Sequence, residues 1–190
     1  MGTLRRMVLN TKMDRSLMRE ALRIYLAGGL PDIVLLKRVT GPGTRKDYRT
    51  RKLIERQVSK QYWRPLMERG CALSDINKRA GLLWLFARWT RQDPTLRSTL
   101  SMCISMGPGK SFAQRMRFLF AAEQSRDASH LKAITALFDN DPRTPVKERA
   151  MLAARHFPGG IALARRGLKS EDTGIVAAAV SVLGTRPLPK

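Results

Sequence analysis

The sequence has few of the residues from which catalytic and metal sites are usually built. It holds two cysteines and two histidines in 190 residues. Cys71 and Cys103 lack the spacing of metal ligands and form no disulfide framework, which fits a reducing compartment. His130 and His156 stand in helical contexts and are interpreted as surface or core residues. Since no nucleophile with a nearby base can be assembled, we expect a non-enzyme without metal, cofactor or small-molecule substrate.

Acidic residues and long apolar runs are also scarce. There are 15 Asp and Glu against 36 Lys and Arg, giving a net charge of +21. The longest uncharged runs, such as residues 98–109, reach about a dozen residues and are too short to span a membrane. The hydrophobic content of 43% predicts a folded core. This charge favours nucleic acid as the partner, ahead of an anionic membrane surface, because the excess is spread along the chain.

Residues 45–69 form the most basic segment, with nine basic and three acidic residues. On a helix, steps of three and four place side chains on one face. That face carries Arg45, Arg49, Lys52, Arg56, Lys60 and Trp63. A separate apolar stripe, suited to docking on a core, carries Ile54, Val58, Tyr62 and Leu66. We expect the basic face to bind RNA phosphates, with Trp63 available for stacking, and Pro65 to end the helix near Trp63.

A second candidate phosphate site follows the sequence GPGKS at residues 107–111. It resembles the end of a nucleotide-binding loop, but Ile104 stands where the earlier glycine of that loop is required, and no strand precedes it. We therefore expect no nucleotide hydrolysis. Lys110, Arg115 and Arg117, near a helix N-terminus, are predicted to bind a backbone phosphate instead.

The remaining sequence predicts helices separated by short breaks. Asp14 begins a helix that ends at Gly28, and further helices are predicted over residues 76–89, 111–122, 128–138 and 160–167. One short run, residues 31–39, could form a strand, but no second run exists to pair with it. We expect an all-α protein with a basic N-terminal helical region, residues 1–70, and a second helical region, residues 71–190, packed as one unit.

The sequence DPTLRSTLSMCISMG, from Asp93, resembles the second helix of a HEAT repeat. The resemblance returns from Asp139 and from Ser170, so it covers residues 74–184, with the 111–122 helix intruding between the first two units. Small residues such as Ala177, Ala178 and Ala179 allow close helix packing. The resemblance implies an irregular HEAT-like helical array, and an ordinary helical bundle is the alternative fold.

These patterns together predict a structural RNA-binding component of a large ribonucleoprotein, most naturally an organellar ribosome. Its partners would be rRNA and neighbouring proteins. The Arg-rich start, MGTLRRMVLNTK, fits mitochondrial targeting. The alternatives are a HEAT-like DNA-binding protein or DNA glycosylase-like enzyme, a viral nucleoprotein or matrix protein, and a protein-interaction adaptor, for which a charge of +21 is hard to explain.

Overall fold

The structure is a computed structural model that describes residues 58–73 and 76–184, together with Ser16, Leu17, Glu20 and Ile24. These four isolated residues are helical, in agreement with the helix predicted after Asp14, although Leu17 and Ile24 are exposed. The described part contains eight α-helices and no strand, which confirms the all-α prediction. The helices are α1 (Trp63–Cys71), α2 (Ile76–Gln92), α3 (Arg97–Ile104), α4 (Phe112–Ser125), α5 (Leu131–Asn140), α6 (Thr144–Ala154), α7 (Gly160–Gly167) and α8 (Thr173–Gly184).

Short polar side chains set the starts of several helices. The carboxylate of Asp93 accepts a hydrogen bond from the Thr95 N–H at 3.0 Å, just before the short 3-10 turn that leads into α3. Ser111 and Gln114 form a reciprocal capping box at the start of α4. Asp172 accepts the Gly174 N–H at 2.9 Å at the start of α8. These starts, and the bounds of α7, are those that the sequence predicts.

The even-numbered helices form one row. Helix α2 packs on α4, α4 on α6, and α6 on α8, while α3, α5 and α7 each pack on the helix that follows them. Helix α4 therefore belongs to the row, and its interpretation as an intruding helix is wrong. Helix α3 lies beside the row, so the helices that begin after Asp93 and after Asp141 are not equivalent. The assignment to HEAT repeats stays a resemblance.

Aromatic rings hold the first two helices together. The rings of Trp63 in α1 and Trp89 in α2 are stacked, with centroids 5.4 Å apart and planes 5° apart. Phe86 lies 5.8 Å from Trp89, and the Trp63 Nε1–H donates to the Val58 carbonyl at 2.9 Å. Gly70 passes so close to the Phe86 ring that a Cβ there would lie 2.5 Å from it. Residues 58–70 therefore share a core with the helices that follow.

The two cysteines are paired as a disulfide. Cys71, at the end of α1, joins Cys103 in α3, with 4.6 Å between their Cα atoms. A single bridge is not the disulfide framework that the sequence was expected to lack, and it forms because helix packing brings together two positions 32 residues apart. The inference of a reducing compartment loses the support of unpaired cysteines.

Polar contacts between successive units recur at a nearly constant sequence separation. Five pairs of side chains, each 26 to 28 residues apart, connect one helical unit with the next. The pairs are Ser101 with Asp127, Arg115 with Asp141, Glu123 with Arg149, Asp139 with Arg166, and Thr144 with Asp172. We call this set the polar ladder. Its spacing shows a regular structural period across α3 to α8.

Candidate functional site

The predicted basic helix lies largely outside the described residues. Arg45, Arg49, Lys52 and Arg56 belong to that part of the chain. At the start of the described residues the backbone is not α-helical: Ser59 is extended (φ −59°, ψ 142°), and α1 begins at Trp63. Pro65 falls in the first turn of α1, where its missing N–H costs nothing. The prediction that Pro65 ends a helix near Trp63 is therefore wrong, because Pro65 lies inside α1.

Trp63 is a core residue. Its side chain is only 2% exposed, one ring face stacks on Trp89, and its N–H is used by Val58. The prediction of a ring available for stacking on a base is wrong. The indole ring is large and apolar, so burying it in the core is more favourable than exposing it on a charged surface. Lys60 is exposed, with its ammonium 5.8 Å from the Trp63 ring centroid.

Several groups of the second predicted phosphate site are already bonded to other residues of the chain. The backbone N–H groups of Lys110 and Ser111 both donate to Gln114 Oε1 at 2.9 Å. Arg115 forms an ion pair with Asp141, whose side chain is fully buried. Of the three predicted cations, Lys110 is exposed, Arg117 is half-buried, and Arg115 is committed to the polar ladder.

A cleft that the sequence does not predict gathers several arginines in the described part of the chain. It has a volume of about 380 Å³ and lies among α2, α3, α4 and α6. Its wall carries five arginines and one glutamate, so positive charge dominates. We call it the arginine cleft, defined by Arg91, Arg97, Phe120, Glu123, Arg126, Arg149 and Arg155.

Glu123 anchors one wall of the arginine cleft. Its side chain is 3% exposed, and its two carboxylate oxygens form ion pairs with Arg149 and Arg155. The Arg149 guanidinium also lies 5.1 Å from the centroid of the Phe120 ring. A buried carboxylate needs such partners, since an unpaired charge is costly in a low-dielectric interior. Two arginines are thereby held in fixed positions.

The other three arginines of the cleft are not held by an ion pair of this kind. The side chains of Arg91, Arg97 and Arg126 form no hydrogen bond or ion pair with the part of the chain that the structure describes. The Nε atom of Arg97 is buried without a partner there. Buried polar groups are almost always hydrogen-bonded, so this atom is a donor that a bound anion could satisfy. The arrangement can bind an anion through several guanidinium groups.

Ser101, Asp127 and His130 form a polar cluster that resembles a catalytic triad only in composition. Ser101 Oγ donates to Asp127 and lies 2.9 Å from His130 Nε2. The hydrogen bond from Ser101 lowers the pKa of Asp127 to about 2, and burial lowers the pKa of His130. In a triad the histidine bridges serine and acid, whereas here the serine does so. Asp127 also caps the Ser129 N–H, so the cluster is a helix cap.

Neither a metal site nor a membrane span occurs among residues 58–73 and 76–184. No group of three or more His, Cys, Asp or Glu side chains is placed to hold a metal ion there. Within the same residues, no helix combines the length and apolarity needed to cross a bilayer. Comparison with protein-family models, curated proteins and solved structures gives no match. The residues of the arginine cleft therefore provide the main indication of function.

Proposed function

We propose that this protein is a structural RNA-binding component of a large ribonucleoprotein. The observation that carries the proposal is the arginine cleft, in which Arg91, Arg97 and Arg126 have no partner among the described residues. Arg91 and Arg126 are exposed and Arg97 is half-buried, and a cleft that gathers like charges attracts an anion. Phosphate is the anion whose geometry the planar arginine fork matches best.

The proposed mechanism is charge neutralisation with release of counterions from the RNA. It requires contacts with phosphates and no reading of base edges. Lys60 and Lys110 add exposed cations, and the basic segment over residues 45–56 adds more. A net charge of +21 supports a polyanionic partner. An organellar ribosome is the assembly we propose, with mitochondrial location supported by the Arg-rich start of the sequence.

A DNA glycosylase-like enzyme is the main alternative function for a protein with this cleft. Such an enzyme needs an acidic residue and an aromatic ring on its basic face, and Glu123 and Phe120 both line the cleft. However, both Glu123 oxygens are engaged by Arg149 and Arg155, so this carboxylate is poorly placed to activate a nucleophile. The observation favours an anchoring role for Glu123.

Crosslinking in the native cell, followed by sequencing of the attached nucleic acid, tests the proposal. A ribosomal component should crosslink to one region of one RNA. Scattered RNA sites would favour a nucleoprotein that assembles along nucleic acid, and enriched DNA would favour the DNA-binding alternative. Recovery of no nucleic acid would contradict the proposal and favour an adaptor.

A charge test addresses the basic segment separately. Replacing Arg49, Lys52 and Arg56 by Ala should flatten the salt dependence of RNA binding, because fewer counterions are released. An unchanged slope would remove this segment from the RNA-binding surface.

A further inference from the structure

We infer that the arginine cleft binds a terminal phosphate group, the dianionic end of a nucleotide or oligonucleotide, and not a continuous stretch of backbone. In its RNA form this inference rests on the proposed function, since the group would be the 5′ end of an RNA. The shared chemistry is a phosphate with at least two negative charges. Its two possible sources are an RNA end and a free nucleotide.

The size of the cleft favours a single terminal group. Its volume of about 380 Å³ lies near the lower limit of small-molecule sites, which span roughly 300–1,000 Å³. A cleft of this size admits about one nucleotide. A continuous backbone would need cations spaced along a groove, whereas these five arginines line a single cleft.

The charge of the cleft favours a dianion. Five arginines against one glutamate leave four positive charges unbalanced on the wall. An internal phosphodiester supplies one negative charge, while a terminal phosphate monoester carries about −1.5 to −2 at neutral pH. A terminal di- or triphosphate supplies more. The terminal group therefore neutralises the cleft better than an internal phosphate.

The cations differ in how firmly they are held. Arg149 and Arg155 are fixed by the buried Glu123 carboxylate, and Arg149 also packs on the Phe120 ring. Arg97 belongs to the uncommitted set, with its Nε buried and unpartnered within the described chain. A phosphate oxygen at the cleft would supply the acceptor that this atom lacks. Anchored cations on one wall and an unsatisfied donor on another are features of a preformed anion site.

The test compares two single-stranded RNA oligonucleotides of identical sequence, one with a 5′-phosphate and one with a 5′-hydroxyl. Binding to the full chain is measured at physiological salt. The 5′-phosphate form should bind roughly tenfold more tightly, as expected for charge-assisted hydrogen bonds. Arg97→Ala should abolish this preference. The matched control Arg165→Ala removes an exposed arginine outside the cleft and should preserve it.

Arg91→Ala, at an exposed position, serves as a second variant if Arg97→Ala does not fold. A third arm measures binding of a nucleoside triphosphate to the full chain and to the same variants. Nucleotide binding that depends on Arg97, without RNA binding, would support the cleft as a terminal-phosphate site and overturn the proposed RNA function. Equal, salt-dependent binding of the two RNAs, with no nucleotide binding, would overturn the inference and leave the RNA function standing.

Discussion

The first three helices and the last five are stabilised by different means. In the region of α1 to α3, residues 58–104, stacked rings at Trp63, Trp89 and Phe86 fill the core, and a disulfide joins α1 to α3. In the region of α4 to α8, residues 112–184, alanines allow close packing, and the polar ladder links successive units. Both regions bury large apolar side chains, such as Phe118 and Phe157 in the second region. The first region adds stacked rings and a disulfide, and the second adds paired charges.

This difference explains where the uncommitted charge lies. Acidic residues of the ladder region neutralise arginines such as Arg115, Arg149 and Arg166. The aromatic region supplies Arg91 and Arg97 without acidic partners in the described chain, and they face the ladder region across the arginine cleft. The boundary between the two regions is thus one place where positive charge remains unbalanced.

The largest effect should come from removing a ring of the aromatic region. Trp89→Ala should lower the free energy of unfolding by about 3–5 kcal/mol, because it leaves a cavity in a fully buried site. Urea denaturation followed by circular dichroism measures this. The matched pair Trp63→Phe and Trp89→Phe sharpens the reason. Trp63→Phe should cost about 1 kcal/mol more, since it leaves the Val58 carbonyl without its donor, whereas the buried Trp89 N–H has no partner among the described residues.

If Trp89→Ala costs no more than an exposed substitution, the stacked rings do not organise this region. Equal costs for the two phenylalanine variants would remove the role given to the Val58 hydrogen bond.

The ladder region should also be sensitive to added volume. A Cβ at Gly160 would lie 2.0 Å from the carbonyl oxygen of Ala154, so α6 and α7 would have to separate. Gly160→Ala should therefore cost about 1–3 kcal/mol in free energy of unfolding. Gly184→Ala is the control, because nothing lies within 4 Å of its Cβ position, and it should leave stability unchanged or slightly higher. Equal urea midpoints for both variants would contradict the close approach.

Acid should weaken the ladder region by a smaller amount. Asp127 has its pKa lowered from 3.8 to about 2, chiefly by the Ser101 hydrogen bond. The unfolded chain therefore binds its proton first, so this stabilisation is complete above about pH 4 and is lost as the pH falls towards 2. We expect a contribution of about 1 kcal/mol after solvent screening. Asp141, whose pKa is lowered by Arg143, acts in the same direction.

Urea midpoints at pH 6, 4 and 2.5 measure this loss. Asp127→Asn should be less stable than the native chain at pH 6, and the difference should shrink at pH 2.5. A constant difference across this range would show that the charge of Asp127 does not contribute.

Local signals in the sequence predicted much of the fold. Short polar side chains begin three of the helices or helical turns, at Asp93, Ser111 and Asp172. Each accepts a hydrogen bond from a backbone N–H of the first turn, which has no partner within the helix. The bounds of α7 follow from glycines at both ends. These signals act within a few residues, so they can be recognised without knowledge of the tertiary packing.

The site depends on contacts that no local pattern encodes. The five arginines of the cleft form no basic run. Arg91, Arg97 and Arg126 belong to three different helices or their ends, and Arg149 and Arg155 to α6 and its C-terminal end, so their convergence follows from the packing of α2, α3, α4 and α6. The prediction of Trp63 as a surface residue was wrong for the same reason. Helical spacing alone cannot show that the Trp89 ring covers it. The constant separation of 26–28 residues in the polar ladder was the one sequence signal that could have revealed the structural period.

The salt dependence of RNA binding tests the central claim most directly. The measurement compares the native chain with Arg91→Ala/Arg97→Ala/Arg126→Ala and with a control of equal charge, Lys132→Ala/Arg165→Ala/Lys169→Ala, whose residues are exposed outside the cleft. The cleft variant should reduce the slope of log K against log salt by about one, the value for the charge of one terminal phosphate group on single-stranded RNA, and the control should change it much less. Equal slopes for the two variants would contradict the assignment of RNA binding to the arginine cleft.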